Sequence, residues 1–523
     1  MTGRDELRRA GRTDPPPAAS HRVGPARWAA WTIAVLALAA SALLGCGLEA
    51  PPAEAPPAEP AFAPHRGPIL LVTLDALRAD VVHERLTPHL AGFLAEADWG
   101  GTAVAPSSWT APSMASLWTG LQPWRHGVIH PGRARLAEEL DTLPEALAAA
   151  GYETVAYRSN HWLSGKLGYR QGVDVFRQAG TRGNRPARYL AGLGELDGTP
   201  RFVWVHLLMP HTPYRRHEQF LDRLDDPPAD LPAQIRPLDL ERWFDPGLDP
   251  PADELARIAA LYRLNAAFAD HVLGKLLGGL RHAGLWDASL VVVTSDHGEE
   301  LGEHGQLAHG GNLGRELVEV PLAIKLPRGF GGEIAPPETT RPALARLFAT
   351  LVEAAGGTPS ADAAPSLFRP AAVPALSELY LDNGTNELSL VEGDRQLRWT
   401  ACFLDPEPEY YRARFASLGG RPEPPPSEPP DAIFERLEAA FDRAPPLSGT
   451  ACDPRWAVER WTGGSGAEAV DDPAAARQMA RALRTAWRAA NGEEIPPGRL
   501  DEAAQSGLDA EDVERVKALG YVP

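Results

Sequence analysis

The sequence predicts an α/β fold: a mainly parallel sheet flanked by helices, with a smaller C-terminal α+β subdomain. Three observations carry that expectation. Predominantly apolar runs such as "ILLVTL" and "LVVVT" read as strands buried on both faces, the environment of parallel sheets. Between about residues 68 and 330 such runs alternate with segments of helical apolar spacing, the pattern of βαβ units. Beyond about residue 330 the texture changes to short segments around an Asn-Gly pair, which favours antiparallel hairpins.

In chain order, the N-terminus comes first. Residues 1–27 carry six Arg and three acidic residues, and the uncharged apolar run Trp28 to Leu44 follows, closed by Gly45 and Cys46. A basic segment, an apolar segment and a small residue before the break make a secretory signal over residues 1–45. The "LLGC" ending resembles a bacterial lipoprotein box, in which Cys46 becomes the lipidated first residue. A plain membrane anchor or ordinary secretion are the alternatives, and all three put the bulk of the chain outside the cytoplasm. Residues 46–67, rich in Pro, Ala and Glu, cannot build a core and read as an extended tether.

Residues 68–370 form the expected catalytic domain. "PILLVTLDALRAD" opens with a strand and "TPHLAGFLAEA" gives a helix; "TLPEALAAAGYETVAYRSN" is helix, Gly stop and strand. "RFVWVHLLMPHTPY" is a further strand, a long helix spans "ELARIAALYRLNAAFADHVLGKLLGGLRHAG", and "SLVVVTSDHGEE" and "EVPLAIKLPRG" supply two more strands. Residues 371–523 complete the fold as a C-terminal subdomain of short strands, a Pro-rich loop and helices near 431–442 and 473–490. Cys402 and Cys452, the other two cysteines, pair as a disulfide in an oxidising compartment or stay as separate thiols. The net charge of −18 argues against a nucleic-acid partner.

Chemistry-bearing residues fall at the carboxyl ends of the strands, where α/β sheets bind ligands. Asp75 follows "ILLVTL", His206 and His211 follow "FVWV", and Ser295, Asp296 and His297 follow "LVVVT". Singly, each is as readily a cap or a packed residue. Together, Asp75, Asp296 and His297 suit a divalent cation, with Thr110 Oγ completing the set. Thr110 opens "TAPSMASLWTG", a helix start, where a hydroxyl is either a cap or a nucleophile beside an anion site. His211 and His309 can supply donors or an acid for a leaving oxygen. His126, Glu303 and His304 read as structural, the latter two as braces of their loop.

Six stretches then carry a resemblance: "LLVTLDALRAD", "TAPSMASLWTGLQPWRHGV", "VHLLMPHTPY", "SDHGEELGEHG", "HGGNLGRELVEVPLAIKLP" and "VERVKALGYVP". The chain resembles the sulfatase family of the alkaline phosphatase superfamily. The resemblance implies an alkaline-phosphatase/sulfatase-like fold, with Asp75, Asp296 and His297 on metal-ligand positions and Thr110 on the nucleophile position. It places His211 and His309 against the transferred group or leaving oxygen, and Asn160 near a substrate-contacting position where His161 competes. It implies one divalent ion (Zn²⁺, Mn²⁺, Mg²⁺ or Ca²⁺) and a small-molecule, lipid or glycan anionic ester as substrate.

Departures from the family pattern narrow the chemistry. Formylglycine sulfatases carry Cys-x-Pro-Ser-Arg, whereas this chain has Thr110-Ala-Pro-Ser-Met114, and a Thr cannot become the aldehyde. The family's paired Asp is Asp75-Ala76 here, and Met209 stands where relatives often place Asp. The expectation is a Thr-nucleophile hydrolase or transferase of phosphoester or sulfate-ester type. The alternatives are a formylglycine-independent sulfuric ester hydrolase and a noncatalytic anion-binding lipoprotein.

Overall fold

The computed structural model describes residues 62–491, except 130–133, 181, 196, 241–242, 244–249, 335–340, 371–373, 381–384, 403–454, 462–466 and 471–472. The signal segment, Cys46, most of the tether, the Cys402–Cys452 pairing and the helix expected near 431–442 therefore lie outside the described residues. Among the described residues no helix is long and apolar enough to cross a membrane.

Seven strands make the main sheet: β1 (Ile69–Leu74), β2 (Trp99–Val104), β3 (Glu153–Arg158), β4 (Val175–Gln178), β5 (Arg201–Leu207), β6 (Leu290–Ser295) and β7 (Glu319–Lys325). Their order is β2-β7-β6-β1-β5-β3-β4, and only β7 runs against the others. The central strand β1 shows why the apolar runs needed no polar face. Ile69 and Leu71 enter one core while Leu70, Val72 and Leu74 enter the other. The first core receives α2 (Thr110–Thr119) and α5 (Arg346–Ala354); the second receives the 31-residue α4 (Ala252–His282). Between α2 and α4 in the chain, α3 (Leu143–Ala149) starts with a capping box in which Thr142 and Glu145 satisfy each other's backbone N–H. The helix α1 (Pro88–Glu96) packs on α4 as its pattern of apolar residues requires.

Two edge strands escape the sequence pattern. In β2, "WGGTAV" reads as a loop because Gly is a poor strand former. Gly100 is there for proximity: a Cβ would lie 2.3 Å from the Leu94 carbonyl oxygen. The other, β4, has only four residues and no fully buried one.

A buried aromatic contact ties α2 to the central sheet. Trp118 of α2 is fully buried, with its ring 4.4 Å from that of Trp204 on β5. Trp118→Ala is expected to cost about 3–5 kcal/mol, since a cavity of that size does not collapse. Denaturant unfolding checks this, with the midpoint falling at unchanged m-value.

The C-terminal sheet is antiparallel in sequence order: β8 (Ala375–Tyr380), β9 (Thr385–Glu392), β10 (Arg395–Cys402), β11 (Arg455–Trp461) and β12 (Ala467–Ala469). The amphipathic α6 (Pro473–Asn491) covers it through Met479, Ala480, Leu483 and Ala486. The subdomain is tied to the segment that leads into α2. Ser377 Oγ donates to the Ala105 carbonyl at 2.7 Å, and the Glu378 N–H donates to that of Pro106 at 2.8 Å.

Candidate active site

Register creates the site. Leu74 of β1 pairs with Leu207 of β5 and with Ser295 of β6, so three central strands end at one level. Asp75 and Asp296 emerge side by side as a result. Immediately after Asp75 the chain turns through Ala76, whose φ of 63° is left-handed and rare for a non-Gly residue. That turn aims the Ala76 N–H at Asp296 Oδ1, 3.2 Å away, and the Tyr262 hydroxyl holds the Ala76 carbonyl at 2.8 Å. On the other side, Gly298 lies so close to the 316–317 backbone that a Cβ would be 1.9 Å from the Glu316 carbonyl oxygen. Only glycine permits this path, and it fixes the neighbouring His297.

Thr110 sits at the centre of these groups. It is the first residue of α2, with Trp109 at the cap position, so its hydroxyl is not the cap that a bare helix start suggests. Thr110 Oγ1 lies 3.4 Å from Asp75 Oδ1, 3.2 Å from His297 Nε2 and 3.3 Å from Asn160 Nδ2, and all four residues are fully buried. Asn160, rather than His161, reaches inward: its side-chain amide donates to Asp75 Oδ2 at 2.6 Å. The rings of His211 and His297 flank that of His309, at centroid distances of 4.8 and 4.5 Å. Every site residue expected from the sequence thus falls into one cluster.

Two participants carried no assigned role. His206 Nε2 is 3.1 Å from Asp75 Oδ2, and His309 Nδ1 is 2.7 Å from the buried carboxylate of Glu299. The signal for His206 is a histidine next to the end of a wholly buried, largely apolar strand. Glu299 follows Asp296-His297 in "SDHGEE", but nothing in that spacing pairs it with His309, ten residues on.

The electrostatics follow from dryness. Burial works to raise the Asp75 carboxyl, yet the His211, His206 and His297 imidazoles outweigh it and hold Asp75 well below the usual carboxylate range. Asp296 is pushed up to about 7 by burial, with the Asp75 charge adding to it. Burial likewise raises Glu299 to about 7, lowers His309 to about 4, and lowers His211 and His297. Imidazoles kept neutral in this way retain lone pairs for a ligand or proton.

The donor set fits a divalent cation. Asp296 Oδ1 accepts from the N–H groups of Ala76 and His297, but Oδ2 is buried with no hydrogen-bond partner among the described residues. Such an oxygen is costly unless a positive charge meets it. It lies 3.6 Å from His297 Nε2, which in turn is 3.6 Å from Asp75 Oδ1. Two carboxylate oxygens, one imidazole nitrogen and the Thr110 hydroxyl converge, a mixed oxygen and nitrogen set.

The residues read as structural behave so. His126 is buried with Nε2 3.0 Å from Ser116 Oγ, and burial lowers it to about 3. His304 braces its loop from between two carboxylates, Glu300 at 3.0 Å and Glu316 at 2.7 Å. Hydrogen bonds to Glu300 and then Glu316 raise it to about 10 against partial burial. A proton bound more tightly in the folded state stabilises it fully below about pH 6.5, and that contribution disappears as pH rises through 10. The Tm gap between wild type and His304→Ala should therefore be widest near pH 6 and close by pH 10–11. A gap independent of pH contradicts the ion-paired brace.

Comparison with known proteins agrees with this architecture. The sulfatase family model matches residues 69–357. The chain belongs to the sulfatase family. It is 27% identical over 274 residues to the low-salt glycan biosynthesis sulfotransferase Agl7 of Haloferax volcanii, covering 51% of this chain and 55% of that protein. It is 29% identical over 163 residues to the multifunctional alkaline phosphatase superfamily protein PehA of Trinickia caryophylli, covering 27% and 31%. The chain thus spans about half or less of the length of these relatives. Among solved structures, the phosphonate monoester hydrolase of Silicibacter pomeroyi superposes with a TM-score of 0.51 at 16% identity, covering 72% of this chain and 96% of that one.

Proposed function

We propose that this protein cleaves or transfers anionic esters of the sulfate, phosphate or phosphonate class, with Thr110 Oγ as nucleophile. The observation that carries the proposal is the position of that hydroxyl, enclosed by Asp75, His297 and Asn160 at the start of a buried helix. Trp109, not Thr110, holds the cap position of the helix, and a dry cage of carboxylates and imidazoles is a costly setting for an inert threonine. The similarity to a protein named as a glycan biosynthesis sulfotransferase and to a multifunctional alkaline phosphatase superfamily protein supports this class of chemistry.

In this reading Asp75, Thr110, Asp296 and His297 would hold one divalent cation, which would supply Lewis acidity to lower the hydroxyl pKa and offset negative charge on the transferred group. Thr110 Oγ attacks the phosphorus or sulfur as the bond to the ester oxygen breaks. The Thr110 proton passes to the neutral imidazoles of the site, and His211 or His309, whose rings lie together beside the cage, delivers a proton to the leaving oxygen. Water or a second alcohol then attacks the same centre; the bond to Thr110 Oγ breaks and the threonine recovers its proton. The N–H groups at the start of α2 favour the anionic group, and Asn160 Nδ2 steadies both Asp75 and the nucleophile.

The sequence signals extend the proposal to location: a lipid-anchored extracytoplasmic protein tethered through Cys46, with lipid or glycan esters as accessible substrates. A panel of aryl sulfate, phosphodiester and phosphonate monoester substrates, assayed with added Mn²⁺, Zn²⁺, Mg²⁺ or Ca²⁺, tests the activity. Turnover in none of them contradicts it. Intact-mass analysis tests the anchor, and a mature chain retaining residues before Cys46 rules it out.

A further inference from the structure

We infer that His206 is a positioning residue that takes one oxygen of Asp75 out of the cation's reach, and that the site consequently selects Mn²⁺ or Zn²⁺ over Ca²⁺. The inference rests on the cation-holding role proposed above for Asp75, Thr110, Asp296 and His297.

The hydrogen-bond chain to His206 starts at Thr73, one residue before the end of β1. Trp204 Nε1 is 3.0 Å from Thr73 Oγ1, and an indole N–H can only donate, so the hydroxyl oxygen accepts. Thr73 Oγ1 is also 2.8 Å from His206 Nδ1, and no other hydrogen-bond partner of that hydroxyl occurs among the described residues. The threonine proton therefore goes to Nδ1, which must be the bare nitrogen, and Nε2 carries the ring's hydrogen. Nε2–H then donates to Asp75 Oδ2 at 3.1 Å. His206 has ligand-like proximity, since its ring nitrogen lies within 4.8 Å of oxygens of Asp75 and Asp296. A protonated Nε2 offers no lone pair, however, so proximity here does not mean coordination.

Asn160 Nδ2 donates to the same Asp75 Oδ2 at 2.6 Å. A carboxylate oxygen has two lone-pair directions, and these two donors occupy both. Oδ1 alone is left, on the side of Thr110 and His297. Asp296 is limited in the same way, with Oδ1 held by two backbone N–H groups and Oδ2 left over. Each carboxylate therefore presents a single oxygen. The protein offers four donors, one of them nitrogen. Ca²⁺ takes six to eight oxygens and readily uses both oxygens of a carboxylate, whereas Mn²⁺ and Zn²⁺ accept fewer donors and an imidazole.

The test is calorimetric titration of chelator-stripped full-length protein with MnCl₂, ZnCl₂ and CaCl₂. Wild type is expected to bind Mn²⁺ or Zn²⁺ at least about 100-fold more tightly than Ca²⁺. His206→Ala frees one lone pair on Asp75 Oδ2. It should weaken Mn²⁺ and Zn²⁺ by about 10- to 100-fold, the range seen when an outer hydrogen-bond partner is lost. Ca²⁺ should weaken less, so the preference narrows. Thr73→Val, which keeps shape but removes the hydroxyl that sets the tautomer, should narrow it in the same direction; it serves if His206→Ala does not fold. Equal affinity of wild type for Ca²⁺ and Mn²⁺ overturns the inference. A preference unchanged in the folded variants overturns it too, while leaving the cation cage intact. Wild type that binds none of the three ions overturns both.

Discussion

Thr110→Ala is expected to lower kcat/KM on the order of 10⁴-fold or more, the scale of losing a covalent nucleophile while binding groups remain. The geometry makes the variant clean. Trp109 rather than Thr110 holds the cap position of α2, and Thr110 Oγ1 contacts the side chains of Asp75, His297 and Asn160. Asn160 still binds Asp75 Oδ2 at 2.6 Å, and Asp75 loses only the 3.4 Å contact of Thr110 Oγ1 with Oδ1. Folding should therefore survive, with three of the four proposed cation donors (Asp75, Asp296 and His297) still in place, while turnover does not. Thr110→Ser, which keeps the oxygen and drops a methyl, should retain measurable activity because a freer rotamer costs far less than a missing nucleophile. Rapid quench of wild type with substrate, followed by mass spectrometry, should find the transferred group on the peptide containing Thr110. Full activity in Thr110→Ala would falsify the assignment.

The reach of the sequence can be judged from particular residues. β1, β5 and β6 are legible because burial on both faces selects a predominantly apolar run, and that requirement shows directly in the letters. Their alignment follows from parallel pairing, which is why Asp75 and Asp296 could be expected to meet. What the letters do not carry is contact across large sequence separations. Asn160 Nδ2 touches Asp75 across 85 residues, and neither neighbour of Asn160 marks it out from His161. Glu299 is hidden for a related reason: a buried carboxylate beside a histidine is visible only once the 299–309 loop has folded back on itself. Tautomer is further removed still. Thr73 looks like any strand threonine, and its effect on His206 depends on Trp204 donating to it from the adjacent strand. The edge strand at Trp99–Val104 was obscured by the glycine that close packing on Leu94 demands. In each case tertiary proximity overrides local preference.

Asp296→Asn separates the cation cage from the scaffold more sharply than an alanine would. The asparagine carbonyl can still accept from the N–H groups of Ala76 and His297, now 3.2 and 2.9 Å from Oδ1. Only the second oxygen changes, to an amide nitrogen that offers a cation no lone pair. Affinity for the divalent ion should fall by more than about 100-fold, beyond what loss of an outer hydrogen-bond partner costs. Activity should fall with it, and added ion should not restore it at concentrations that saturate wild type. The metal-free proteins should show the opposite order in stability. Wild type without a cation keeps Asp296 Oδ2 buried and unpartnered among the described residues, a penalty of about 1–3 kcal/mol that the neutral amide reduces. Chelator-treated Asp296→Asn should therefore melt above chelator-treated wild type, and wild type should overtake it when the ion is added back. A variant that melts below wild type in both conditions would show that Asp296 serves the fold rather than the ion.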